Sequence, residues 1–118
     1  MADKTVLKAI RYLGKCLEDD GIMISKIILF GSQADGTASA DSDIDIVIIS
    51  NDFDGKDIFE RAVMLRSARM RNIDRYLFPM DIILKTPEEY EGGLIALYAD
   101  KGTVVFKSSQ KAVQKASA

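Results

Sequence analysis

Residues 43–50, DIDIVIIS, constrain this chain more than any other stretch of its length. Ile44, Ile46, Val47, Ile48 and Ile49 are all β-branched, and turn formers flank them on both sides, so the segment reads as a strand. Asp43 and Asp45 open it at positions i and i+2. Side chains alternate along a strand, so both carboxylates leave on the same side, where they can share one metal ion or a pair of them.

Helical and extended segments alternate around this strand. Residues 4–20 read as an amphipathic helix, with Val6, Leu7, Ile10, Leu13 and Leu17 at helical spacing and Asp19-Asp20-Gly21 ending the run. Residues 23–30, with Ile24, Ile27, Ile28, Leu29 and Phe30, read as a buried strand. Residues 51–56 form a polar turn, and Asp57 is the N-cap of a helix over about 57–77. That helix is expected to turn Phe59, Val63, Met70, Ile73 and Leu77 toward the core. A third strand covers 79–85, and Thr86-Pro87-Glu88-Glu89 starts a helix with proline at its first position. A short helix around 92–100 stops at Gly102, and 103–106 make a last strand. The order is that of a single α/β domain over residues 1–106. The remainder, 107–118, lacks large apolar residues beyond one valine and is expected to be a disordered tail.

Composition removes several chemistries. The 118 residues include no histidine and one cysteine. Ser-His-Asp and Cys-His catalysis are therefore absent, as is a zinc site built on imidazole. Cys16 falls inside a helical run and reads as a buried free thiol. Any metal would be a hard cation on oxygen ligands, such as magnesium or manganese. The net charge of −2 argues against a general nucleic-acid surface. No apolar run approaches a membrane span and the start lacks a signal-like segment, so the cytoplasm is the expected location.

The chemistry concentrates in FGSQADGTASADSDIDIVIIS, residues 30–50. Gly31 and Ser32 leave a strand together. Glycine permits close approach of a ligand, and amides opening a short helix there favour an anion such as a phosphate. Asp81 is an acid embedded in the apolar run Met80-Asp81-Ile82-Ile83-Leu84. A buried carboxylate without a partner costs several kcal/mol, so Asp81 calls for a metal or a cation. If its strand lies beside that of Asp43 and Asp45, three carboxylates converge near the glycine-serine turn.

Gly31-Ser32, Gly36 and Ser42-Asp43-Ile44-Asp45 followed by Ile46-Val47-Ile48-Ile49 resemble the signature of the DNA polymerase β-like nucleotidyltransferase superfamily. The likeness covers about residues 5–106. The small size and the late strand acid Asp81 resemble the minimal nucleotidyltransferases, often encoded beside a HEPN-domain protein in toxin–antitoxin pairs. The resemblance implies a mixed sheet of about four strands flanked by helices. It implies Mg2+ or Mn2+ held by Asp43, Asp45 and Asp81, which are also the catalytic set, and a nucleoside triphosphate bound at Gly31, Ser32 and Ser42. The implied reaction is transfer of a nucleoside monophosphate, often AMP, to a hydroxyl on a protein, an RNA or a small molecule. The chain departs from many relatives at Asp35, where they carry a basic residue before the glycine.

Other readings of the same residues are weaker. Asp41, Asp43 and Asp45 also fit the opening of a calcium loop, but the sixth and twelfth positions hold Ile46 and Asp52 instead of glycine and glutamate. No G-x-G-x-x-G joins strand to helix, so a dinucleotide fold is not indicated. Arg61, Arg66, Arg69, Arg71 and Arg75 read as a solvated helix surface paired with Glu60 and Asp74. Tyr90 and Tyr98 read as core or interface. A domain this short leaves the acceptor to a partner chain or to a second copy. The alternative function is a catalytically weak or inactive module of the same fold that acts by protein–protein binding, and Asp35 is the feature that favours it.

Overall fold

The structure, a computed structural model, describes residues 3–35 and 43–107, without the side chains of Ser32 and Asp35. The first helix, α1 (Lys4–Asp19), is capped by the Asp3 side chain, which accepts from the Thr5 amide at 2.7 Å. It buries Val6, Ala9, Ile10, Leu13, Cys16 and Leu17 along one stripe, as their spacing requires. Strand β1 (Lys26–Phe30) starts later than the sequence suggests. Ile22 and Ile24 are buried, but in the turn that brings the chain from α1 to the sheet.

A single turn of helix, α2 (Ser32–Asp35), follows β1, and β2 (Ile44–Ile49) is the central acid-led strand. A 3-10 turn, Asn51–Phe53, occupies the expected polar turn and buries Phe53. The long helix α3 (Ile58–Tyr76) begins with a complete capping box: the Glu60 amide donates to Asp57 at 2.8 Å and the Asp57 amide to Glu60 at 2.9 Å. Leu77, in the left-handed conformation, ends it.

Strand β3 (Met80–Lys85) leads into α4 (Pro87–Gly92), whose Thr86 cap and Pro87 stand where the sequence places them. The helix expected around 92–100 is shorter, α5 (Ile95–Ala99), because Gly93 leaves helical geometry between the two. Strand β4 (Thr103–Lys107) closes the sheet and takes in Lys107, one residue beyond the expected boundary. The expected tail, 108–118, lies outside the described residues.

The four strands form one mixed sheet in the order β3-β2-β1-β4. Strand β1 pairs antiparallel with β2 and β4, and β2 pairs parallel with β3. Helices α1 and α3 cover one face, over Ile27, Leu29, Ile44, Ile46, Ile48 and Met80. The other face carries Ile28, Val47 and Ile49, sealed by Tyr90 and Ala99 from α4 and α5.

The helix face expected to point inward does not. Phe59, Val63, Met70, Ile73 and Leu77 are 38–78% exposed, while Leu65, Ala68 and Asn72 are buried. Asn72 is what turns α3 this way: its Nδ2 donates to the Ala9 carbonyl at 2.7 Å in the seam with α1. A buried amide group needs such a partner, so this polar residue holds a core position that apolar residues were expected to take. Two arginines tie α3 to β3, Arg61 Nη1 to the Leu84 carbonyl and Arg69 Nη2 to the Met80 carbonyl, both at 3.2 Å.

Candidate active site

Two acids, Asp45 and Asp81, are brought side by side at one end of the sheet, with Asp43 just ahead of them in the chain. In the parallel ladder Asp45 stands opposite Asp81, so the two side chains leave from the same face. Asp43 is two residues before Asp45, at the same parity and just ahead of β2, and is exposed. The adjacency of the two acid strands is thus as the sequence requires for convergence. The face they share is the one sealed by α4 and α5. Within that seal Tyr90 stands at the far end of the sheet, beside Ser25, Lys26 and Ile49. At the acid end Asp43 and Asp81 are exposed.

The desolvation argument applied to Asp81 belongs to Asp45 instead. Asp81 is exposed and Asp45 half-buried. Burial pushes the Asp45 carboxyl above the ordinary aspartate range. The Asp81 and Asp43 charges, and a side-chain hydrogen bond to Asp81, push it the same way. Each cause raises the cost of a negative charge at Asp45, the electrostatic setting that a divalent cation would relieve.

Gly31 stands against this pair. Phe30 is opposite Asp45 in the β1–β2 ladder, which brings the next residue over the Asp45 carboxylate. Gly31 has φ +74°, and a Cβ there would stand 2.6 Å from Asp45 Oδ2. The conformation disfavours other residues, and a Cβ would oblige the Asp45 carboxylate to shift. The close approach expected for a ligand is made first by Asp45. The Ala34 amide then donates to the Gly31 carbonyl at 3.1 Å as α2 opens. Gly36, Asp41 and Ser42, and the side chains of Ser32 and Asp35, lie outside the described residues.

A cleft of about 280 Å³ runs from Asp43 and Asp81 under α3, lined also by Arg69, Asn72, Ile73 and Phe78. Sequence reasoning missed that Arg69 lines the same cleft as Asp43 and Asp81, because it took the arginines as a surface paired along their own helix. The pairs among the described residues are different: Arg61 with Glu89 and Arg71 with Asp20, each at 2.7 Å, while Glu60 serves the capping box. The one legible signal for Arg69 is its distance of twelve residues from Asp81 across a helix–turn–strand connection, which spacing alone does not resolve.

The donor set is all oxygen and fits a hard cation such as magnesium or manganese. Among the described residues, no three carboxylates or thiols stand close enough to cage a metal by themselves. Magnesium does not need a protein cage. It takes one or two carboxylates and completes its shell with water and substrate phosphates, which the exposure of Asp43 and Asp81 permits. Among the described residues no helix is long and apolar enough to cross a membrane.

Known proteins share this fold. Residues 10–102 match the family model of the nucleotidyltransferase domain. A Methanocaldococcus jannaschii protein, provisionally named a protein adenylyltransferase, is 36% identical over 78 residues, 66% of this chain and 52% of that protein. The chain thus spans about half the length of that curated relative. A Sulfolobus solfataricus structure, provisionally described as a nucleotidyltransferase, has a TM-score of 0.55 at 20% identity, with 93% of each chain covered. A toxin–antitoxin structure with AMP-PNP has a TM-score of 0.58 at 21% identity, covering 94% of this chain and 84% of its own. Both structures share the fold. The chain belongs to the nucleotidyltransferase domain family.

Proposed function

We propose that this member of the nucleotidyltransferase domain family transfers a nucleoside monophosphate, AMP in the first instance, from a nucleoside triphosphate to a hydroxyl of a protein or RNA acceptor. The observation that carries the reading is the register that sets Asp45 beside Asp81 with Gly31 backed against them. AMP is favoured by the adenylyltransferase name of the Methanocaldococcus relative. A protein partner in a toxin–antitoxin pair is favoured by the titles of the structural neighbours, and its HEPN type rests on the sequence resemblance alone.

Asp43, Asp45 and Asp81 would hold Mg2+ or Mn2+. The cation would supply charge neutralisation at the α-phosphate and lower the pKa of the attacking hydroxyl. Gly31, Ser32 and Ser42 would receive the triphosphate, whose approach the absence of a side chain at Gly31 leaves open. Asp81, which is exposed, would take the acceptor proton as that oxygen bonds to the α-phosphorus. The bond to the β-phosphate oxygen breaks, and pyrophosphate leaves with the electron pair. Asp45 holds the arrangement from beneath, between Gly31 and Asp81.

The test is incubation of the purified chain with magnesium or manganese, each α-labelled nucleoside triphosphate and a lysate of its source, beside Asp45→Asn. Label moving to a protein or RNA band, and falling roughly 100-fold or more in the variant, is the expected result. No transfer with any nucleotide or metal would reject the enzyme and leave the second reading, a binding module whose Asp35 disfavours a triphosphate.

A further inference from the structure

Helix α3 carries a line of exposed side chains. Phe59, Val63, Arg66, Met70, Ile73 and Leu77 follow one another at alternating steps of four and three, the spacing that keeps residues on one narrow stripe. The stripe lies opposite Leu65, Ala68 and Asn72, the side of α3 that is buried. Its five apolar members are all exposed. At 1.5 Å per residue it runs about 27 Å.

Charge identifies what fits on it. Arg66 sits in the middle of the stripe. The residues three and four positions away are Ala62, Val63, Arg69 and Met70, so its own helix offers it no carboxylate. Among the described residues the ion pairs of α3 are Arg61–Glu89 and Arg71–Asp20, and Arg66 is in neither. A second copy of the stripe is a poor match. Laid parallel, it stacks Arg66 on Arg66; laid antiparallel, it gathers two Arg66 and two Arg69 at the centre. Like charges facing each other in that way select against the pairing. Residues 108–118, SSQKAVQKASA, bring two lysines and no acid, and so offer Arg66 no partner either.

We propose that this stripe is the docking surface for an amphipathic helix of a partner protein, with apolar residues at the same spacing and a carboxylate in the central layer facing Arg66. Such a helix would sit at the edge of the acid cleft, because Ile73 of the stripe and the neighbouring Arg69 also line the cavity that holds Asp43 and Asp81. Only that last point rests on the proposed transfer reaction.

The test needs neither nucleotide nor metal, so it fails separately from the enzyme assay. A labelled synthetic helix of about three heptads, with leucine at the stripe spacing and glutamate in its central layers, is titrated with the full chain. A second peptide carries lysine in place of glutamate. The expected result is binding of the glutamate peptide at least about tenfold tighter than of the lysine peptide, and a reversed preference for Arg66→Glu. That reversal is a gain of binding, which misfolding of the variant could not produce. Equal binding of both peptides, or binding of neither, would overturn the proposal. So would a dimer of the chain in light scattering that Phe59→Asp dissociates, which would make a second copy the occupant.

Discussion

Helices α1 and α3 lie against the same face of the sheet and are of similar length, 16 and 19 residues, yet they use their apolar residues in opposite ways. Helix α1 buries its whole stripe, with Ala9, Ile10, Leu13 and Leu17 fully enclosed. Helix α3 meets the sheet and α1 through Leu65, Ala68 and Asn72, and sends five large apolar side chains to solvent. Periodicity identifies which residues share a face, and says nothing of where that face points when a helix has two candidates. What decides α3 is a set of specific bonds: Asn72 to Ala9, Arg71 to Asp20, Arg61 to Glu89 and Leu84.

Substitutions can break this contrast or sharpen it. The largest effect is expected from Leu13→Ala, which empties a fully buried site of α1 and should cost about 2–5 kcal/mol in urea unfolding. Next is Asn72→Ala, expected to cost about 1–3 kcal/mol by removing the one buried polar anchor of α3. If Asn72→Ala cost nothing, α3 would not be oriented by that bond.

A smaller effect comes from pH. Hydrogen bonding to Arg61, first, holds the Glu89 carboxyl down at about 2, below its ordinary range. A depressed carboxyl stabilises the fold above its unfolded pKa and loses that contribution as pH falls through the folded one. The melting temperature should therefore drop between about pH 4.5 and 2 in wild type, and drop less in Glu89→Gln. The smallest effect is expected from Phe59→Ser, within about 0.5 kcal/mol, because the side chain is exposed. A cost several times larger, or a melting temperature that depends on chain concentration, would mean that the outer stripe of α3 is already covered in solution.

Much of the fold is legible because its strands are rich in β-branched residues and too short for helices, and α1, α3 and α4 begin with side-chain caps. Asp57 and Thr86 announce α3 and α4 by side chains that bond the next turn, a local rule. The start of β1 is less legible: Ile22 and Ile24 are as apolar as strand residues, and only the ladder with β2 shows where pairing begins. At the site, the common side of Asp43 and Asp45 follows from alternation alone. The meeting of Asp45 with Asp81 is a long-range register that the sequence states only as a condition. The closeness of Gly31 to the Asp45 carboxylate, and the place of Arg69 in the cleft lined by Asp43 and Asp81, are products of packing with no local signature.

The two arginines that cross from α3 to β3 have a consequence for how the molecule behaves in a crowd. Strand β3 is the outer strand of the sheet, and its Met80 and Leu84 carbonyls face away from β2. An uncovered edge of that kind is a template on which another extended chain can grow. Arg61 and Arg69 are eight residues apart on a helix, about 12 Å; Met80 and Leu84 are four apart on a strand, about 13 Å. The two spacings coincide, so one helix places a bulky cation over the edge at both ends of the strand. The apolar Ile82-Ile83-Leu84 run can thus lie at the rim of the sheet without inviting strand-to-strand aggregation.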